Sequence, residues 1–416
     1  MDPIDAMELM MDRCAGLDVH KKTVTGCVRV PGDGGGRLQE TRTFGTTTGQ
    51  LKLLGDWLAG HGVTTVGMES TGVYWRPVYY ALEERFECWL VNAAHMHNVP
   101  GRKTDVADAA WICRLVEHGL VRPSFVPDPT FRVARMLTRS RKTVIDERTR
   151  HVQRLQAVLE DAGIKLSSVA SNVLGVSGRK MLEALLAGER DPAVLADLSV
   201  RQLRRKIPEL QEALEGRFEF HHAALITECL AHIDAADESI DRLSDRICEL
   251  LAPWSSALVL LDTIPGVDRR TAEVVLAEVG PDMSRFPTAS HLASWAGLCP
   301  GNNESAGKHR NGRTRKGSKW LRRGLVQSAH AAGLSHNNYL AAQYARLRGR
   351  RGPGKAAVAV AHSILVIAWH ILTTGEPYRD LGADYFTERR GGDSYKRYLV
   401  GQLERLGHTV TLTATN

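Results

Sequence analysis

Cysteine is scarce and unpatterned in this chain. Its seven cysteines are an odd number with no Cys-x-x-Cys pair, which argues against a zinc knuckle or a disulfide framework. A reducing cytosol is therefore the expected home, and no charged-then-apolar secretory segment opens the sequence. Long hydrophobic runs are also rare. Ala356 to Thr374 approaches membrane-spanning length, but His362 and His370 interrupt it, so a buried helix is predicted and no membrane partner. The most informative absence is of acid: from Ser305 to Gly375 there is no Asp or Glu, while thirteen Lys and Arg fall between Lys308 and Lys355. That composition makes a cationic surface suited to a polyanion. Over the whole chain the excess is milder, +7 with a pI of about 9.1, which permits a nucleic-acid partner without requiring one.

At 416 residues the chain is long enough for two or three domains, each with its own core. Residues 13–125 read as one α/β domain. Cys14–His20, Thr23–Val30 and Leu38–Gly45 suggest three successive strands, with the Gly-rich turn at 31–36 between the last two. A helix over Gln50–Ala59, a strand ending at Glu69, a helix from Tyr74 to Arg85, a strand over Cys88–Asn92 and a final helix complete the order βββαβαβα. Asp18 and Glu69 end two of these strands. Asp105 and Asp108, three residues apart near the start of the last helix behind Thr104, share a helical face. Acids at a helix start also complement the macrodipole, so this pair alone would read as capping. Four acids at one sheet edge would repel one another unless cations lay between them, and oxygen-only ligands favour Mg²⁺ or Mn²⁺.

The words Gly-Leu-Asp-Val-His-Lys21, Glu-Ser-Thr-Gly-Val-Tyr-Trp75 and Pro-Gly-Arg-Lys-Thr-Asp-Val-Ala-Asp108 resemble the DEDD transposases of the insertion-sequence-110 family. The resemblance implies an RNase H-like domain of the RuvC type, with the family's metal-binding tetrad falling on Asp18, Glu69, Asp105 and Asp108. It would turn Arg102 and Lys103 towards phosphates; as plain loop charges they would face solvent. His95 and His97 form a His-x-His pair that reads as structural or solvent-facing.

Residues 131–255 read as helical. Ile226, Ile233, Ile240 and Ile247 recur every seven residues, with Cys229, Ala236, Leu243 and Leu250 three later in each heptad. This suits a two-stranded coiled coil. A second seam, Ile145, Val152, Leu155 and Leu159, could pair with it inside one chain. The family resemblance implies instead a dimerising coiled coil, hence a homodimer and a tetramer in the active complex.

Residues 256–380 form a third, mainly α region. It opens with Leu261-Asp-Thr-Ile-Pro-Gly-Val267, which resembles a helix-hairpin-helix turn able to contact phosphate through backbone amides. Ser305 follows in a Gly-rich stretch ahead of Lys308, Arg310, Arg313, Arg315, Lys316, Lys319, Arg322 and Arg323. Cations around a serine could neutralise charge developing on a scissile phosphate. The stretch resembles the family's C-terminal transposase domain, and its catalytic serine falls on Ser305. Ala306 departs from the Ser-Gly form common in the family, and Ser318 is the competing candidate. The tail, 381–416, carries no readable role.

The resemblance thus implies a mobile-element recombinase that cuts and rejoins donor and target DNA through a phosphoserine, guided by a structured bridge RNA. Two other readings stay open. One is a RuvC-like junction resolvase in which water attacks; the other is a non-catalytic nucleic-acid scaffold whose acids cap helices.

Overall fold

The computed structural model describes residues 8–32, 34, 36–70, 72–92, 108–300, 303–305, 308–311, 314, 316–389 and 392–413. The chain divides into two compact units, Met1–Val126 and Pro127–Asn416.

The first unit is built on a mixed five-stranded sheet. Strands β1 (Cys14–Val19), β2 (Thr23–Pro31), β3 (Arg37–Gly45), β4 (Thr65–Glu69) and β5 (Glu87–Val91) lie in the order β3-β2-β1-β4-β5. The first three form an antiparallel meander, while β4 runs parallel to β1 and β5 parallel to β4. This arrangement, with β1 central, agrees with the expected RNase H-like domain, and it puts the strands ending at Asp18 and Glu69 side by side.

Helices cover both faces of the sheet. Helices α1 (Thr48–Gly60) and α2 (Trp75–Leu82) supply Leu54, Leu58, Val78 and Leu82, which pack on Ala15, Leu17, Val66 and Met68. Helix α3 (Asp108–Glu117) covers the opposite face with Ala109, Ile112, Cys113 and Val116, packed in one cluster with Cys14, Cys27 and Val91. Because successive strand residues point to opposite faces, β1 and β4 are buried on both sides. At the end of α3 the carboxylate of Glu117 is fully buried. It accepts hydrogen bonds from Arg29 Nε at 2.7 Å and Arg37 Nε at 2.8 Å, so this helix end is fixed to β2 and β3. A charge with no solvent access is tolerated only when paired in this way.

The second unit is helical. Its frame is an antiparallel pair, α4 (Pro129–Asp161) and α5 (Phe220–Leu251). The register is marked by Arg141 donating to Ser244, Arg148 to Asp237, a stacked His151–His232 pair and His222 beside Asp161. Short helices at Leu166–Val169, Val176–Leu186, Pro192–Asp197 and Ile207–Leu214 fill the connection and share a core with both long helices.

This core corrects the expected use of the heptads. Ile226, Ile233, Ile240 and Ile247 are all buried within the single chain, Ile226 and Ile233 in one cluster with Leu155 and Leu159. The intramolecular pairing of the two seams is what the structure displays. Each buried Ile contributes about 1.5–3 kcal/mol, and α4 already offers the complementary apolar stripe. This seam therefore lends no support to a protomer–protomer coiled coil.

The C-terminal helices α6 (Ser255–Asp262), α7 (Arg269–Val279), α8 (Ala289–Trp295), α9 (Lys319–Leu334), α10 (Tyr339–Arg351) and α11 (Pro353–Thr374) pack around the N-terminal half of α4 and around one another. Helix α11 carries the long apolar run. Ala357, Val360, Ala361, Ile364, Leu365 and Ala368 are buried, as expected of a core helix. Among the described residues it is the one helix long and apolar enough to cross a membrane by composition. Strands β6 (Asn303–Ser305) and β7 (Lys308–Asn311) form a small antiparallel hairpin. Helices α12 (Tyr385–Glu388) and α13 (Gly392–Arg405) end the described chain.

Candidate active site

Three of the four expected acids lie in the described part of the first unit, and the sheet's alternation places them on one face. Ala15, Leu17 and Val19 face α1 and α2, so Asp18 faces α3. In β4, Val66 and Met68 take the α1 side, so Glu69 also faces α3. Leu17 pairs with Met68 in the parallel ladder, so Asp18 and Glu69 are the next residues along both strands. Asp108 opens α3 on that same face. All three are partly buried. Asp105, Arg102 and Lys103 lie outside the described residues, as do His95 and His97.

Two glycines bring the helix close. Gly16 and Gly67 are paired neighbours across β1 and β4, each two residues before an acid and on the α3 face. A Cβ on Gly16 would lie 2.2 Å from the Ala109 carbonyl oxygen and 2.3 Å from the Cys113 nitrogen; one on Gly67 would lie 2.4 Å from a Val116 methyl. Only hydrogen at both positions lets the α3 backbone rest on the sheet. Its first turn, which carries Asp108, is thereby held over the strand that ends at Asp18. Below the acids, Cys14 and Cys113 bring their sulfurs to 3.7 Å. The hydrogen bond from Cys113 holds the Cys27 thiol down at about 7, against desolvation.

The sequence reading missed His20. Its Nε2–H donates to Asp18 Oδ2 at 3.0 Å, the donor role being fixed because a carboxylate only accepts. The signal was present, since residues two apart at a strand end share a face. His20 is mostly exposed while the Asp18 side chain is 21% exposed, so the imidazole sits on the open side of the acid.

The donor set fits a hard divalent cation: carboxylate oxygens from two strands and a helix, with the cysteines of this face buried beneath. Asp18, Glu69 and Asp108 are the described residues that would hold it. Among the described residues the group whose ligand atoms already lie within metal-binding spacing of one another is a different one, Asp161, His221 and His222 in the second unit. There His222 Nδ1 accepts from the Glu219 amide at 3.0 Å and Nε2–H donates to Asp161 at 3.0 Å. One nitrogen thus caps the start of α5 and the other ties it to the end of α4, so the cluster reads as structural.

In the second unit Ser305 is the last residue of β6, with its Cα opposite Lys308, the first residue of β7; Arg310 follows in β7. Arg313 and Arg315 lie outside the described residues. Ser318, the competing serine, is the N-cap of α9. Its Oγ accepts from the Leu321 amide and donates to the buried Glu278 at 3.1 Å, which gives it a structural role. Among the expected nucleic-acid contacts, Lys316 and Lys319 are exposed. Arg322 donates to Thr314 at 2.6 Å, and Arg323 donates to Asp146 through both terminal nitrogens at 2.6 and 2.8 Å.

The Pro265–Gly266 turn does join two helices, α6 and α7, but its glycine is turned inward. A Cβ on Gly266 would lie 2.3 Å from the Ser328 carbonyl of α9, and the Val267 amide already donates to Ile264. The turn is a packing device in this structure, which leaves less of its backbone for phosphate than a helix-hairpin-helix reading expects.

A transposase family model of the DEDD IS110 type matches residues 15–164, and a second, described as "Transposase IS116/IS110/IS902 family", matches residues 259–345. A putative transposase y4pF/y4sB of Sinorhizobium fredii is 30% identical over 286 residues, covering 67% of this chain and 64% of that protein. The transposase for insertion sequence element IS1111A of Coxiella burnetii is 26% identical, covering 68% of this chain and 70% of its own length. A pilin gene-inverting protein of Moraxella bovis is 30% identical over 149 residues, 34% of this chain and 45% of its own. The chain spans less than two thirds of the Sinorhizobium protein. The first match contains the strands and helix that carry the acids, and the second contains α7, the β6–β7 hairpin with Ser305, and α9. On these two matches the chain belongs to the IS110 family of transposases.

Proposed function

We propose that this protein is a DNA transposase that cuts and rejoins DNA strands by phosphoryl transfer. The observation that carries the reading is the convergence of Asp18, Glu69 and Asp108 on one face of the sheet. Asp105 completes the tetrad in this reading, and Mg²⁺ or Mn²⁺ held there would neutralise charge on the scissile phosphate. Ser305 Oγ loses its proton and attacks phosphorus, the P–O bond to the strand's deoxyribose breaks, and that oxygen takes up a proton and leaves as a hydroxyl. The new phosphoserine ester keeps the bond energy of the phosphodiester, and attack by a second strand's hydroxyl releases the serine. The cations that follow Ser305 stabilise the extra negative charge of that step. His20 positions Asp18 through its 3.0 Å hydrogen bond.

Donor and target DNA are the substrates, and a structured bridge RNA selects them by base pairing, so the protein reads backbone and shape. The acid-free stretch from 305 to 375 supports a polyanionic partner of this kind. The protein works in the cytoplasm, where that nucleic acid lies, as an assembly of several copies. The name of the pilin gene-inverting relative, which describes DNA rearrangement, favours rejoining over simple cutting.

The test is strand cleavage with Mg²⁺ by the wild type, Asp18→Asn and Glu69→Gln. Loss of cleavage by at least a hundredfold in both variants, with circular dichroism unchanged, is expected. Wild-type rates in either would remove the acid site from the mechanism.

A further inference from the structure

A second cluster of charge lies in the helical unit, outside the acid site and largely outside the basic run read from the sequence. Helices α4, α7 and α9 meet around a cleft of about 220 Å³. Five cations line it, Arg139, Arg141, Lys142, Arg270 and Arg323, against a single lining acid, Asp268.

Four of these cations are held by carboxylates: Asp146 takes two of them, while Glu278 and Glu273 each take one together with an arginine outside the lining. Glu278, buried, accepts both bonds of a bidentate Arg139 at 2.8 and 2.9 Å and also faces Arg135 at 3.5 Å. Glu273, also buried, accepts from Arg141 at 2.8 Å and from Arg269 at 3.1 Å. Asp146 takes Lys142 at 2.6 Å and Arg323 at 2.6 and 2.8 Å. With Asp268 these make four carboxylates against seven cations, the five that line the cleft and Arg135 and Arg269 beside it, so the carboxylates orient the cations yet leave the cluster positive. Arg270 is exposed and makes no ion pair among the described residues. A like-charged group this dense is most stable with an anion as its further partner.

We infer that this cleft is a binding site for a nucleic-acid phosphate, with Arg270, Lys142 and Arg323 as its contacts. The inference rests on the reading that the protein acts on nucleic acid. Size favours one backbone unit over a whole cofactor, since pockets for such ligands typically run from about 300 to 1,000 Å³. Shape agrees. Trp320, Arg323, Gly324 and Gln327 form one stripe of α9, so the cleft has an aromatic face, a cation, a gap and an amide in line. Helix α9 also lies within the acid-free stretch, so the field beyond the cleft stays positive. The cleft would thereby add, through Arg270 of α7, a phosphate contact beside the Gly266 turn, whose inward packing leaves less backbone for one.

Full-length protein tests this by fluorescence anisotropy against a labelled DNA duplex and a labelled RNA hairpin, across a range of KCl. Arg270→Gln and Lys142→Gln are compared with Arg242→Gln, an exposed arginine of α5 that does not line the cleft. Each cleft variant should weaken binding about fivefold to twentyfold and lower the log–log salt slope by about 0.7–0.9, with its melting temperature unchanged for Arg270→Gln. Loss confined to the duplex assigns the phosphate to DNA, and loss confined to the hairpin assigns it to RNA; either supports the site. Affinity and slope equal to the Arg242→Gln control in both arms would overturn it. That result would leave the transposase reading intact if the wild type still forms a covalent DNA adduct. Cleft-dependent binding without any adduct would do the reverse.

Discussion

Gly16 and Gly67 stand opposite each other in the parallel ladder of β1 and β4, and together they form the seat on which helix α3 rests. The two differ in what crowds them. Gly16 faces the backbone of Ala109 and Cys113, whereas Gly67 faces a methyl group of Val116. Gly16→Ala should therefore be the costlier change, at or above the usual overpacking range of about 1–3 kcal/mol. Gly67→Ala should be rescued in part by Val116→Ala, which removes the clashing methyl; Gly16→Ala has no such rescue. Urea denaturation of Gly16→Ala, Gly67→Ala, and each combined with Val116→Ala checks this, and equal costs at both glycines would show that α3 is not seated as described.

The same pair shows what was legible in the sequence and what was not. The strand order and the acids could be read because apolar alternation and strand-end carboxylates are local signals. The repeated Gly-x-acid pattern, Gly16 to Asp18 and Gly67 to Glu69, was equally local, yet its meaning depends on a helix that arrives about ninety residues later. Ser318 could not be told from a nucleophile without Glu278, which lies forty residues away. The cations of α4 escaped notice for the same reason: Arg139 and Lys142 join Arg270 and Arg323 only when three helices meet. The heptads of α5 were plain in the sequence, but periodicity records that a seam exists and not which helix fills it.

For that seam the expected result is loss of fold. Ile233→Asp places a carboxylate in the buried apolar cluster that holds Leu155, Leu159 and Leu230. The cost should reach about 4–5 kcal/mol, the extreme of single substitutions. Circular dichroism and thermal melting should show a destabilised helical unit at every protein concentration. A variant that kept its melting temperature and merely dissociated would return the isoleucines to an interface between copies.

Ser318→Ala separates capping from chemistry. It removes the N-cap of α9 and one partner of the buried Glu278. A stability loss of about 1–2 kcal/mol is expected, with strand joining retained at temperatures where the protein stays folded. A folded Ser318→Ala protein unable to join DNA would point to this serine as the reacting group.

The central claim, DNA joining through a protein ester, is tested most directly by trapping that ester on Ser305. Wild-type protein, given Mg²⁺, its RNA and matching DNA, is denatured and run on a gel that separates free from DNA-linked protein, and the modified peptide is mapped. The account predicts a denaturation-resistant adduct on the peptide containing Ser305 in the wild type and none in Ser305→Ala, which should still bind DNA. An adduct that persists in Ser305→Ala, or wild-type cleavage that never passes through one, would contradict it.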